Sequence, residues 1–258
     1  MDKKRIILGL DVNTSSIGVS LVECDGENIQ ILKISNVKPK INRNIKGTEA
    51  LFLKTKQFKE QFIEKYKDIG ITDIIIEEPF PKSQNNKMVS TLLRFNGMLS
   101  QSIYDVTGIV PVYISSHEAR KYAFPDLISL RKYSKNDEIL SVNKIREALK
   151  NNELVLFGNY PFSCQKKYIL WNKVTEMFPY IEWEYDNKGN LKTENFDASD
   201  SLICIIGQLN KEKYYNSIPK IIEYNDYVIE NNNRNIRRFS YKTEFCEQTF
   251  EKIIDIEG

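Results

Sequence analysis

The sequence contains a single histidine, His117, and four cysteines, Cys24, Cys164, Cys204 and Cys246, that stand far apart along the chain. With no CxxC pair and no histidine beside any of them, neither a zinc site nor a disulfide framework is indicated, and packed, reduced thiols are expected. Nucleophilic catalysis by a Ser-His or Cys-His pair would have to rest on His117, which is expected in a loop after a strand, a place more typical of a structural histidine. Charge of one sign is also lacking. A net charge of +2 does not by itself mark a nucleic-acid binder, so any such argument has to rest on where Lys and Arg cluster. No apolar run approaches the ~20 residues of a membrane span and no cationic, apolar leader opens the chain, so a soluble, intracellular protein is expected.

What is present suffices for a large core: 41% of the 258 residues are hydrophobic. One domain is expected over residues 1–258, with an insertion at 124–163 and a C-terminal extension at 211–258. The stretch Arg5–Glu23, RIILGLDVNTSSIGVSLVE, reads as two antiparallel strands: one apolar run delivers Asp11 into a short polar segment and a second leaves it. Asp25-Gly26 signals a hairpin into a third strand, Ile29 to Val37. From Lys33 to Lys59 the chain carries Lys33, Lys38, Lys40, Arg43, Lys46, Lys54, Lys56 and Lys59 against one acid, Glu49. Its front, Lys38 to Gly47, reads as irregular. Leu51, Phe58, Phe62 and Tyr66 then share one face of a helix over Thr48 to Ile69, which Gly70 stops.

Ile71 to Phe80, ITDIIIEEPF, is apolar on consecutive residues at its centre, the habit of a strand covered on both faces by helices. A helix over Met88 to Thr107 presents Leu92, Phe95, Leu99 and Ile103 on one stripe, and Val110 to Ile114 forms a fifth strand. The expected class is α/β: a mixed sheet of three antiparallel and two parallel strands flanked by helices. Helices are further expected at Ile139 to Lys150 and Lys166 to Phe178, within a helical and loop region that precedes a last helix, Asn195 to Leu209. That helix, NFDASDSLICIIGQL, opens with acids and continues with an apolar body. A second basic cluster, Arg234, Arg237, Arg238 and Lys242, lies in the tail.

The acids carry the functional reading. Asp11 alone could equally shape a turn, and Asp197 alone could serve the dipole of its helix. Asp197 and Asp200, three residues apart, share a helix face and can converge. Together with Asp11 and with Glu77 or Glu78, both at strand ends where α/β sheets build their sites, they form a set of hard oxygen donors suited to Mg2+ or Mn2+. Two such ions ~4 Å apart are the arrangement that hydrolyses phosphodiesters.

The order of these segments, GLDxxxxxxG in a hairpin (Gly9, Leu10, Asp11, Gly18), then IIIEEPF, then DASDSL at a helix start, resembles the RuvC Holliday-junction resolvases of the ribonuclease H-like superfamily. It is most similar to their phage-type branch, in which an IEEP segment precedes a helix carrying a segment like TLLRFNG, here Thr91 to Gly97. The resemblance covers roughly residues 5 to 115 and 164 to 209, and LDVNTSSIGVSLV is shared with the RuvC-like domain of RNA-guided nucleases. It implies a ribonuclease H-like sheet and four metal ligands, Asp11, Glu77, Asp197 and Asp200, the glutamate following an isoleucine and standing three residues before an aromatic, Phe80. Phe80 is then either a stacking surface for an unpaired base or a packed aromatic. Lys166 or Lys167, and Arg120 or Lys121, fall near positions of phosphate-contacting residues in that family, while Lys40, Arg43 and Lys46 supply further phosphate contacts. The segments Phe124 to Ser163 and beyond Lys211 have no counterpart in compact bacterial resolvases.

The resemblance thus implies a structure-selective endonuclease acting on branched DNA, above all four-way junctions. Two Mg2+ or Mn2+ ions per site would yield a 5′ phosphate and a 3′ hydroxyl, in a homodimer without membrane contact, in the cytoplasm of a bacterium or phage-infected cell. Two other classes compete. An actin-like or sugar-kinase-type ATPase opens with a similar hairpin but needs glycine-rich phosphate and adenosine segments, and the 11 glycines form none. A non-cleaving RuvC-like scaffold that binds DNA or a packaging partner would be free to lose an acid, whereas every expected acid is present.

Overall fold

The computed structural model describes residues 4–79, 86–125, 133–135, 138–139, 151, 156–157, 160–161, 166–217, 221–231, 234–243 and 247–254, with side chains described up to 125, at 151 and from 167 to 214. Five strands form the principal sheet: β1 (Arg5–Val12), β2 (Ile17–Asp25), β3 (Asn28–Val37), β4 (Asp73–Glu78) and β5 (Val112–Ser115). Their spatial order is β3-β2-β1-β4-β5. β1, β2 and β3 pair antiparallel, whereas β1–β4 and β4–β5 pair parallel. The mixed sheet is the one expected from the apolar runs.

Strand alternation assigns the two faces. Leu8, Leu10 and Val12 of β1, with Ile74 and Ile76 of β4, belong to a core formed with helix α1 (Gly47–Phe58) and helix α2 (Asn86–Thr107). Ile7 of β1 and Ile75 of β4 belong to a second core on the opposite face, formed with α3 (Ser116–Ala123), α4 (Lys166–Met177) and α5 (Glu194–Ser217). β1 and β4 are therefore apolar on consecutive residues because helices cover them on both sides.

The chain leaves α1 through a π-helical turn, Lys59–Ile63, and further helical turns to Ile69. Phe58 stacks on Phe62, with ring centroids 5.9 Å apart, and Phe62 meets Tyr66 at 4.7 Å, so the face expected of Leu51, Phe58 and Phe62 is the buried one. Gly70 stops this stretch at φ +83°, a conformation for which glycine carries no Cβ penalty. In α2 the expected stripe holds at Phe95, Leu99 and Ile103, which are fully buried, while Leu92 is half-buried.

Several features go beyond or depart from the sequence reading. Ser116–Ala123 is a helix, so His117 lies on α3 and not in a loop. The segment is polar, with only Ala119 and Ala123 buried, and its signal is the Ser115 side chain accepting from the Glu118 backbone N–H at 3.2 Å. α5 continues past Leu209 to Ser217. The tail holds three antiparallel strands, β10 (Ile221–Asn231), β11 (Arg234–Thr243) and β12 (Glu247–Ile254), and chain contacts separate Lys211–Gly258 from Met1–Asn210 as its own unit. Short strands β6 (Tyr133–Lys135), β7 (Glu138–Ile139), β8 (Leu156–Phe157) and β9 (Tyr160–Pro161) form a further small sheet. The helix expected over 139–150 lies outside the described residues except for Ile139, which ends β7. Among the described residues no helix is long and apolar enough to cross a membrane.

Candidate metal centre and nucleic-acid interface

Alternation that points Ile7 and Ile75 toward α5 points Asp11 and Glu77 the same way, four and two residues further along their strands. The parallel register sets Leu10 opposite Ile76, so Asp11 and Glu77 follow side by side at the C-terminal ends of adjacent strands. Asp200 comes down from the second turn of α5. Carboxylate oxygens of Asp11, Glu77 and Asp200 all lie within 4.8 Å of one another. Glu78 takes the opposite side of the strand and is exposed.

α5 reaches this position because the sheet beneath it lacks side chains. A Cβ on Gly9 would stand 2.4 Å from the Ser201 carbonyl oxygen, and one on Gly18 would stand 2.0 Å from the Asp197 carbonyl oxygen. The two glycines of the GLDxxxxxxG segment thus seat the acidic turn of α5 on β1 and β2. Next to them, the Ser20 and Ser201 hydroxyls lie 2.6 Å apart, and Ser201 also donates to the Ala198 carbonyl at 2.7 Å, so these two buried hydroxyls are satisfied. On the far side of α5, Gly207 allows equally close approach of α3 at the Ala119 backbone.

The electrostatics are those of crowded, poorly hydrated carboxylates. Burial, followed by the charges of Glu77, Asp200 and Asp197, holds the Asp11 carboxyl well above its ordinary range. Glu77 is pushed up to about 7, chiefly by burial and then by Asp200. Burial raises Asp200 too, opposed first by the Arg120 guanidinium. Such a group of like charges is held near neutrality by taking up protons or by a cation, and its three hard oxygen donors fit a divalent ion of the Mg2+ or Mn2+ type.

Asp197 sits beside this group and not within it. Its Oδ2 accepts from the Ser16 hydroxyl at 2.8 Å and its Oδ1 from the Asn13 amide at 3.5 Å. Burial raises this carboxyl, and the Ser16 bond opposes the shift. Ser16 and Asn13 were not singled out by the sequence; their signal is the polar content of the turn that joins two apolar strands.

Two cations flank the acids. An Arg120 guanidinium nitrogen lies 3.6 Å from Asp200 Oδ2. Lys167, exposed on the first turn of α4, acts electrostatically on all four acids and lies 5.8 Å from the centre of the Phe196 ring. Lys121 turns aside, its ammonium 5.1 Å from the Tyr122 ring centre. Lys166 opens α4, but its side chain and the whole of Phe80 lie outside the described residues. Lys40, Arg43 and Lys46 are exposed on the segment before α1. Four other members of the basic stretch have internal partners: Lys38 pairs with Glu194 at the start of α5, Lys54 donates to the Thr14 carbonyl, and Lys56 and Lys59 lie 3.8 and 3.9 Å from Glu60 and Glu64.

The backbone fold has solved counterparts. RuvC of Thermus thermophilus superposes with a TM-score of 0.50 at 11% identity, covering 81% of this chain and 96% of that one. A second structure, T. thermophilus RuvC in complex with a Holliday junction substrate, gives 0.51 at 8% identity with the same coverage. The chain has the ribonuclease H-like fold of RuvC. The sequence itself matches no protein-family model and no curated protein sequence. At such identity the likeness is one of backbone architecture, and the chemistry rests on the side chains of this chain.

Proposed function

We propose that this protein is a metal-dependent endonuclease that cleaves branched DNA, with four-way junctions as its principal substrate. The observation that carries the reading is the meeting of Asp11, Glu77 and Asp200 within 4.8 Å at the carboxyl ends of β1 and β4. These three residues would hold the ions, with Asp197 completing the set from the first turn of α5. Bound Mg2+ or Mn2+ would supply Lewis-acid activation of water and charge neutralisation at the leaving oxygen.

The chain's own contribution is to position and to bind. Arg120 and Lys167 bring positive charge to the rim of an acidic site, where a DNA phosphate would otherwise be repelled. Arg120, whose guanidinium lies 3.6 Å from Asp200, would offer its remaining donors to a phosphate oxygen. Lys166, Lys40, Arg43 and Lys46 would extend the contact along the backbone, joined by Lys121 if it leaves the Tyr122 ring, and Phe80 would stack on an unpaired base. Binding therefore weakens steeply with salt. The junction preference is supported by the RuvC neighbour solved with a Holliday junction substrate. A homodimer is part of this proposal, since a twofold axis would offer one active site to each of two equivalent strands of a four-way junction. Labelled four-way, three-way, flap and linear duplex DNA incubated with the protein in Mg2+ tests this reading: selective cleavage of the four-way substrate is expected. Binding without cleavage of any substrate would favour a scaffold instead.

A further inference from the structure

We infer that Ser16 is a positioning residue for Asp197, fixing the direction in which that carboxylate presents its oxygens to the site; the inference rests on the metal-nuclease reading above. Asp197 alone of the four acids stands outside the group whose oxygens are mutually close. A carboxylate in that position can turn about its own side-chain bonds unless something holds it. Ser16 does so from a different element: its hydroxyl, on a residue only 6% exposed, donates to Asp197 Oδ2 at 2.8 Å. The Asn13 amide at 3.5 Å from Oδ1 is a weaker second hold. Each carboxylate oxygen accepts more than one partner, so a bond from Ser16 leaves capacity for an ion.

The Ser16 bond is made to the carboxylate of Asp197 and not to a backbone N–H of α5, so its effect falls on side-chain direction and not on capping. The turn that carries Ser16 is itself fixed on both sides. Asn13 N–H donates to the Ser16 carbonyl at 3.0 Å, and Lys54 reaches from α1 to the Thr14 carbonyl. Gly18, two residues further on, lies against the backbone of Asp197. The turn thus bridges α1 and α5, with the Ser16 hydroxyl as its contact to the site. Partners that orient a metal ligand typically contribute a factor of 10–100 to metal affinity.

The test is Mn2+ binding to the metal-free full-length protein by calorimetry, with thermal melting recorded in parallel, for wild type, Ser16→Ala, Ser16→Thr and Asp11→Asn. Ser16→Ala is expected to weaken Mn2+ binding about 10-fold or more, and Ser16→Thr, which keeps the hydroxyl, to return it to within about 3-fold of wild type. Unchanged affinity in Ser16→Ala while Asp11→Asn abolishes binding would overturn the role of Ser16 and leave the metal-nuclease reading standing. A Ser16→Thr protein as impaired as Ser16→Ala, or losses that follow the melting temperature, would reduce Ser16 to a packing role and overturn the inference. Failure of wild type to bind Mn2+ at all would overturn both readings.

Discussion

Replacing Gly18 by alanine adds one methyl group at the point where the acidic turn of α5 meets β2. The new Cβ would stand 2.0 Å from the Asp197 carbonyl oxygen and 2.2 Å from its carbon, against the 3.4 Å at which ordinary contact begins. The obstructing atoms are backbone, so relief requires α5 to retreat by about 1.4 Å. Overpacking of this kind costs about 1–3 kcal/mol, a fall in melting temperature of roughly 2–12 °C for a chain of this size. The larger effect is on the site. Asp197 is displaced directly and Asp200 three residues later, and a misplacement near 1 Å can cost about 100-fold in rate. Single-turnover cleavage of a labelled four-way junction in Mg2+, read beside thermal melting, measures both. Gly97→Ala is the control: a Cβ there meets nothing within 4 Å, and alanine in a helix gains about 0.5–1 kcal/mol over glycine, so that variant should melt slightly higher and cut normally. A Gly18→Ala protein that melts and cuts like wild type would refute the view that this glycine seats the acidic turn.

Two further outcomes follow from the charges at the site. Glu77 titrates at about 7 in the fold against an ordinary 4.5, so between those values the folded chain holds a proton that the unfolded chain has released. The stability this contributes is present below the unfolded value and is lost as pH rises through about 7. EDTA-treated protein should therefore melt higher near pH ~5.5 than near pH ~8, and Mg2+ should raise the melting temperature most at the upper end, because ion binding displaces protons. An EDTA-treated protein that is more stable at high pH would contradict the crowding of these acids. Arg120→Ala should weaken junction binding at every sequence and lower the slope of log affinity against log salt by about 1, measured by anisotropy titration; an unchanged slope would assign Arg120 to Asp200 alone.

Much of the sheet was legible in the sequence because burial on both faces leaves a simple mark. The consecutive apolar residues Ile6 to Leu10 and Ile74 to Ile76 mark strands covered by helices, and the acids that end each run mark the rim. The preference for Glu77 over Glu78 came from resemblance, and alternation from Ile75 supplies its physical reason. Elements that bury little were harder to see. α3 places only two alanines in the core, and its one sign was the Ser115 and Glu118 spacing of a capping box. The tail reads as a basic cluster because its charged residues mask the strand pattern, although the register sets Glu251 opposite Arg238 and Glu247 opposite Lys242. Counting charges also could not separate the exposed Lys40, Arg43 and Lys46 from Lys38 and Lys54, which hold α5 and the β1–β2 turn. Those pairings join residues 40 or more positions apart, beyond what local pattern encodes.

The proposed role of Asp11, Glu77 and Asp200 is to act as one metal-binding group for DNA cleavage. It is tested most directly by cleavage of a labelled four-way junction in Mg2+ by wild type, Asp11→Asn, Glu77→Gln and Glu78→Gln. Wild type and Glu78→Gln should cut, since the Glu78 side chain lies on the far side of β4, while Asp11→Asn and Glu77→Gln should be inactive yet still bind the junction. Cleavage by Asp11→Asn at the wild-type rate, or loss of activity in Glu78→Gln but not in Glu77→Gln, would contradict the account.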